Sequence, residues 1–319
     1  MAALGSGLVS KVLVIGAAGM IGRKLVPALA QEDLILHDVV PFEGASAVSD
    51  LSQPGEAEKL VAARPDLIFH LAAVVSGEAE ADFDKGYRVN LEGTQRLFAA
   101  IRKASYRPRV VFTSSIAVFG APFPEAIDDE FLSAPLTSYG TQKAIGELLL
   151  ADYSRRGFMD GIGIRLPTIC VRPGKPNKAA SGFFSGIIRE PLAGEEAVLP
   201  VPETVRHWFA SPRAAVGFLV HASQLKTEKL GARRSLNMPG VSATVAEQIE
   251  ALRKVAGDKA VALIRRAPDA TIDRIVAGWP RGFEARRARD LGFVAESSFE
   301  EIVLIHIEDE HGGVAPINA

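Results

Sequence analysis

Tyr139 and Lys143 form the residue pair from which chemistry is most directly read. A phenol and an ammonium stand one helical turn apart on the same face of a predicted helix, Ser138–Arg156. The chain has four tyrosines, and only Tyr139 has a lysine at the fourth position after it. A free phenol ionises near pH ~10, too high for a base at neutral pH. A neighbouring cation stabilises the phenolate and brings it into range for general-base work. Ser115 lies just beyond the apolar run Val110–Thr113, at the carboxyl edge of a predicted strand, where ligands of α/β sheets collect. Its hydroxyl can hold a substrate oxygen. By itself the Tyr–Lys spacing is also that of an ordinary surface pair; what stands upstream gives it weight.

Upstream is a glycine turn, Gly16-Ala-Ala-Gly19-Met20-Ile21-Gly22, between the first apolar strand and the first helix. Glycines let the backbone approach a pyrophosphate, and the helix start at Met20 and Ile21 offers free N–H groups and a positive dipole end. Asp38 closes the second strand about 20 residues on, where a carboxylate accepts from both ribose hydroxyls and repels a 2′-phosphate. NAD is therefore expected rather than NADP. Asp50-Leu51 is placed to flank the adenine, and the small residues of Leu71-Ala72-Ala73 leave room for the cofactor at the end of another strand.

These residues need a scaffold. Apolar runs at Lys11–Ile15, Leu34–Asp38, Leu67–Leu71, Val110–Thr113 and Gly161–Ile169 read as buried strands. Between them, Met20–Ala30, Ala57–Ala63, Asp84–Lys103 and Ser138–Arg156 read as helices. Such alternation predicts an α/β fold, a Rossmann-type doubly wound parallel sheet. From Arg172 the alternation is lost and Gly and Pro become frequent up to Pro202. We expect an NAD-binding domain over 1–171, to which 210–239 returns, and a smaller C-terminal substrate-binding lobe from 172–209 and 240–319. Ser211-Pro212 predicts a capped helix start. Thr244-Val-Ala-Glu247 and Ser298-Phe-Glu-Glu301 have capping-box spacing.

Composition excludes several classes. A net charge of −2 offers no basic excess for nucleic acid. The single cysteine, Cys170, cannot form an internal disulfide, which suits a cytoplasmic protein, and it follows an apolar run that predicts a buried, inert thiol. The six histidines have no paired helical spacing, so no metal site is expected. No uncharged apolar run reaches membrane-spanning length, and the first residues lack the pattern of a signal peptide.

Taken in order, the motifs resemble those of the extended short-chain dehydrogenase/reductase family over nearly the whole chain. The matching pieces are Gly16-x-x-Gly19-x-x-Gly22, Asp38, Asp50-Leu51, His70-Leu-Ala-Ala73, Val89-Asn90-x-x-Gly93-Thr94, Thr113-Ser-Ser115-x-x-Val118-Phe119-Gly120, Tyr139-x-x-x-Lys143 and Arg165-x-Pro167-Thr168. The resemblance implies that Ser115 rather than Ser114 is catalytic. It also implies that Asn90 supports a proton relay and that Pro167, Thr168 and Ile169 join the NAD site. Phe119 stands where relatives often carry Tyr, and Ile15 where a Thr is common.

Ser115 is followed by Ile116 and Ala117 instead of the acidic pair of dehydratases. The segments Val74–Phe83, Ser154–Phe158, Leu166–Asn177 and Gly186–Leu192 are similar to members that oxidise the carbon-2 hydroxyl of a short sugar acid. Nucleotide-sugar epimerisation with tightly bound NAD remains the alternative, and a non-enzymatic dinucleotide sensor is disfavoured by the intact Ser-Tyr-Lys set. A carboxylate substrate needs a cationic pocket. Arg172, Arg206 and Arg213 fall in or near the predicted lobe, with Ser76, Asn177, His207 and Trp208 as further pocket candidates. The resemblance also implies a homodimer through Asp84–Lys103 and Ser138–Arg156.

Overall fold

The computed structural model describes residues 10–174 and 180–318. Among them are twelve strands: β1 (Lys11–Ile15), β2 (Asp33–Asp38), β3 (Ala47–Val48), β4 (Leu67–His70), β5 (Arg109–Ser115), β6 (Asp160–Leu166), β7 (Thr168–Ile169), β8 (Ala197–Leu199), β9 (Arg206–Ala210), β10 (Ser235–Asn237), β11 (Val241–Thr244) and β12 (Ile264–Arg266). The described residues divide into two compact units. One comprises the residues through Phe119, Ser133–Leu166 and Val216–Asn237; the other comprises Gly120–Leu132, Pro167–Ala215 and the residues from Met238 onward. The division falls at Leu166, earlier than the change in composition suggests, and Gly120–Leu132 belongs with the second unit.

The first unit carries a seven-stranded sheet in the order β10-β6-β5-β4-β1-β2-β3. Every pairing in it is parallel. Strand order reverses between β1 and β4, the switch point at which doubly wound sheets bind ligands. β1 and β4 are apolar on both faces, as a covered parallel sheet requires: Val12–Ile15 and Leu67–Phe69 are buried. Leu60 and Val61 from the helix Glu56–Ala62, and Leu97, Phe98 and Ile101 from Gly93–Lys103, pack with Leu13, Ile15, Ile68 and Phe112. Each such buried side chain contributes about 1.5–3 kcal/mol.

The second unit holds a three-stranded sheet, β11-β9-β7, and a two-stranded one, β12-β8. Its core gathers Phe184, Ile187 and Ile188 with Phe209, Leu252, Phe299 and Ile302. Cys170 is buried there, and burial pushes its thiol up to about 12, so it is inert.

Several local expectations are refined. The run Gly161–Ile169 is two strands in two sheets, because Pro167 lacks the N–H that would continue the ladder. The run Asp84–Lys103 contains a π turn, Tyr87–Glu92, between the helices Phe83–Gly86 and Gly93–Lys103. The Gly- and Pro-rich stretch after Arg172 contains a helix, Gly182–Leu192, with Pro191 near its end. Ser211 caps the helix Pro212–Gln224, accepting from the Ala214 amide at 2.9 Å. Thr244 and Glu247 form a reciprocal capping box. Ser298 caps alone, accepting from the Glu301 amide, while the Glu301 carboxylate takes two donors from Ser297, its amide at 2.6 Å and its hydroxyl at 3.0 Å. No described helix is long and apolar enough to cross a membrane.

Candidate active site

The glycine turn is built by close approach. Gly16 and Ala17 both donate to the His37 carbonyl, at 2.9 and 3.1 Å, and Gly16 has a φ of +93°. A Cβ on Gly16 would lie 2.7 Å from the Ala72 nitrogen, and one on Gly22 would lie 2.3 Å from the Gly16 oxygen. Only hydrogens fit at either position. The helix Met20–Ala28 starts at Gly19 with no side-chain cap and no acidic residue in its first turn, so its N–H groups and positive dipole end are left uncompensated and suit an anion. Asp38, 9% exposed, buttresses this turn: its carboxylate accepts from the Ala18 amide at 2.9 Å and the Val40 amide at 3.2 Å. Each oxygen keeps lone-pair capacity for a ribose hydroxyl. This cradle fits a dinucleotide.

Asp50 is more fully engaged. Its carboxylate accepts from the Ser52 amide and hydroxyl and pairs with Arg88 at 2.5 Å. Burial would raise its pKa, but the Ser52 hydrogen bonds and the Arg88 charge outweigh that and lower it. Leu51 beside it is buried. Leu71 and Ala72 both donate to the Ile15 carbonyl, which fixes the partly buried Leu71–Ala73 segment beside the switch point.

Ser115 ends β5, half-buried, with its Oγ accepting from the Ala117 amide at 3.1 Å. Ser114, on the opposite face of the strand, is buried and donates to Glu147 at 2.5 Å. The alternation of a strand thus leaves Ser115 at the ligand edge and turns Ser114 away. Thr137 caps the helix Ser138–Arg155 by accepting from the Gly140 amide at 3.0 Å. Lys143 is 3% exposed; its Nζ donates to the Thr113 carbonyl at 2.8 Å and lies 5.8 Å from the centre of the Tyr139 ring. Burial brings its ammonium down to about 8, and the Glu147 carboxylate opposes that shift.

The π turn delivers Asn90 into the interior. Its amide accepts from the Val74 N–H at 2.8 Å and donates to the Val74 carbonyl at 3.2 Å and the Gln142 side chain at 2.7 Å. Both of its N–H bonds are engaged, so Asn90 clamps the segment after β4. Gln142, fully buried, keeps an Nε2 without a partner among the described residues. Ser76 opens the helix Ser76–Ala81 beyond that segment.

In the second unit, Thr168 Oγ1 lies 2.7 Å from His207 Nε2, and His207 Nδ1 donates to the Pro280 carbonyl at 2.9 Å. Since a carbonyl only accepts, neutral His207 carries its proton on Nδ1 and takes the Thr168 hydroxyl on Nε2. Burial brings its pKa down to about 4. His207 stacks on Phe184 at 5.4 Å, and Trp208 is 4% exposed with its indole N–H on the Met238 carbonyl, so both rings are packing elements. Pro167 precedes β7, and Ile169 is buried with its carbonyl accepting from Arg172 Nε at 3.0 Å. Arg172 also donates to Ser181 Oγ at 3.3 Å. Arg213 is paired with Glu308 and Asp309. Arg206 bonds the Ser242 carbonyl and Glu247 and lines a cleft of about 560 Å³ with Phe123, Glu125, Trp279 and Arg281. Asn177 lies outside the described residues. Among the residues that these contacts add beside Tyr139 and Lys143, Glu147 carried a sequence signal, its spacing four residues after Lys143, and Gln142 carried none.

The chain matches a family model described as the NAD dependent epimerase/dehydratase family over residues 12–222. It is 47% identical to a D-erythronate dehydrogenase of Cupriavidus necator over 317 residues, which cover 93% of this chain and 98% of that protein. It is 41% identical to a D-erythronate dehydrogenase of Haemophilus influenzae over 311 residues, covering 93% and 99%. A solved structure described as a nucleoside-diphosphate-sugar epimerase from Agrobacterium tumefaciens is 65% identical, with a TM-score of 0.92 over 98% of this chain and 99% of that one.

Proposed function

The chain belongs to the NAD dependent epimerase/dehydratase family, and on that premise we propose that it oxidises the carbon-2 hydroxyl of a short sugar acid, D-erythronate first, to the 2-keto acid. It is an NAD-dependent dehydrogenase. The observation that carries the substrate is near-full-length similarity to two proteins named for D-erythronate.

In this reading NAD, when bound, supplies the acceptor for the hydride lost from carbon 2. Ser115 Oγ donates to the substrate oxygen and holds it. The Tyr139 phenolate removes the hydroxyl proton as the carbonyl forms. Lys143, fixed to the Thr113 carbonyl, keeps a positive charge beside that phenolate and favours it. The glycine cradle and Asp38 bind the cofactor, and the substrate carboxylate calls for an arginine partner. A charge-assisted bond of that kind contributes about 1.5–3 kcal/mol. We include the homodimer implied by the family resemblance in the proposal; sedimentation velocity tests it.

Epimerisation of a nucleotide sugar is the second reading, favoured by the description of the 65% identical Agrobacterium structure. One assay separates them. The purified protein is mixed with NAD and aldonates of three to six carbons, beside UDP-sugars and the neutral polyol erythritol. Net NADH from D-erythronate and little from erythritol is expected. Conversion of a UDP-sugar without net NADH, while no aldonate reduces NAD, would replace the proposal with the epimerase reading.

A further inference from the structure

The helix Ser138–Arg155 carries one buried carboxylate that the proposed mechanism leaves without a role. Glu147 is 7% exposed and stands one turn beyond Lys143 on the same face. Its Oε1 accepts from Ser114 Oγ at 2.5 Å and Arg165 Nε at 2.9 Å, and its Oε2 accepts from Arg165 Nη2 at 2.7 Å. Arg165 reaches on to Asn237 Oδ1 at 3.1 Å, and its guanidinium lies 4.8 Å from the Phe119 ring. One carboxylate therefore joins the helix to the end of β5 and to β6, and through Arg165 to β10.

Several groups face Lys143 among the described residues. From β4 comes His70, whose pKa burial brings down to about 3, so that it is neutral at working pH. From β5 come the Thr113 carbonyl and the Phe112 ring. On its own helix stand Tyr139 and Glu147, and behind Glu147 stands Arg165 of β6. Glu147 is the negative charge between the buried Lys143 ammonium and the partly buried Arg165 guanidinium, and a buried ammonium without an anion gives up its proton more readily.

We infer that Glu147 is a positioning residue for the reaction: it ties the helix bearing Tyr139 and Lys143 to the strand bearing Ser115 and supplies the counter-charge that keeps Lys143 an ammonium. The inference rests on the roles given above to those three residues.

The test uses two variants that break the same clamp with opposite charge. Glu147→Gln removes the anion; Arg165→Gln removes a cation and leaves the anion. The readout is the pH dependence of NAD affinity by calorimetry, with kcat/KM on D-erythronate beside it. Glu147→Gln is expected to move the alkaline limb of NAD affinity to lower pH by about one unit or more. Arg165→Gln is expected to move it the other way, and Glu147→Asp to leave it near wild type. A clamp with no electrostatic part would move both limbs in one direction or neither, and either result overturns the inference. NAD affinity needs no substrate, so a wrong substrate leaves this arm intact. A wild-type affinity with no alkaline limb would overturn both the inference and the role given to Lys143. If neither variant folds, Ser114→Ala decides: it cuts only the tie to β5, and a tenfold fall in kcat at unchanged melting temperature supports the tie, while unchanged kcat overturns it.

Discussion

Lys143 Nζ and the carbonyl of Thr113 are joined by a hydrogen bond of 2.8 Å between the helix Ser138–Arg155 and β5. The ammonium thus has a fixed address in the sheet. Replacing Lys143 by Met removes the charge and leaves the Thr113 carbonyl without this donor. NAD affinity should fall, and the activity that remains should shift to higher pH, because Tyr139 loses the cation that favours its phenolate. A pH–rate profile unmoved by Lys143→Met, with only cofactor affinity lost, would show that the ammonium does not tune the base.

Gly140 meets the turn after Ser115 so closely that a Cβ would lie 2.1 Å from the Ala117 oxygen. Gly140→Ala must push the start of the helix, and Tyr139 with it, away from Ser115. Displacements near 1 Å in such sites cost on the order of 100-fold in rate. The contrast is Gly217→Ala, within the helix Pro212–Gln224, where a Cβ meets nothing within 4 Å. It should stabilise by about 0.5–1 kcal/mol and leave kcat alone. Steady-state kinetics and melting curves on the two variants check both halves.

In the proposed function Asp38 has two jobs. Its carboxylate accepts from the Ala18 amide at 2.9 Å, and its charge is expected to oppose a 2′-phosphate. Asp38→Ala should weaken NAD and narrow the preference over NADP, measured as two dissociation constants by NAD(P)H fluorescence. An equal fall for both cofactors, with their ratio unchanged, would leave only the structural job. Asp38→Asn should keep much of the loop support while still narrowing the ratio.

Each unit holds a buried neutral histidine. Burial lowers His70 from 6.5 to about 3, with the Lys143 charge adding to the effect, and lowers His207 from 6.5 to about 4. Below pH 6.5 the unfolded chain takes up these protons and the folded chain does not, so stability present above that pH is lost as pH falls towards 4 and then 3. One unit below the unfolded value, each histidine costs about 1.4 kcal/mol. Melting temperature should therefore drop between pH 7.5 and 5.5, and drop less in His207→Gln relative to its own neutral-pH value. Equal wild-type melting temperatures at the two pH values would contradict this.

What the sequence made legible was local. Gly16, Gly19, Gly22, Tyr139 and Lys143 announce themselves by spacing along one strand–turn–helix or one helical turn, and the structure realises both. Charge partnership was not legible, because it is decided by residues far away in the chain. Arg213 reads as a free cation in sequence, yet Glu308 and Asp309, 95 and 96 residues later, neutralise it. Glu147 stands one helical turn after Lys143 in sequence, but its partners Ser114 and Arg165 come only from β5 and β6. The π turn at Tyr87–Glu92 is hidden for another reason: one inserted residue hardly alters an apolar repeat, while it decides that Asn90 points inward. Pro167 was in plain view as a strand breaker, and the apolar run around it masked the break.

The two compact units are interleaved in the chain, and this has a consequence for synthesis. β10, the outermost partner of β6, lies at Ser235–Asn237, after a long stretch that belongs to the second unit. A ribosome therefore releases β6 with one edge unpaired. At ~5–20 residues per second, the roughly 70 residues between them keep that edge open for about 4–14 seconds. An unpaired parallel edge is a template for a neighbouring nascent chain. Fragments ending near Leu166 should inherit the same exposed edge permanently and aggregate, so neither unit can be harvested by a single cut, and expression slowed between the codons for Leu166 and Asn237 should lower the soluble yield.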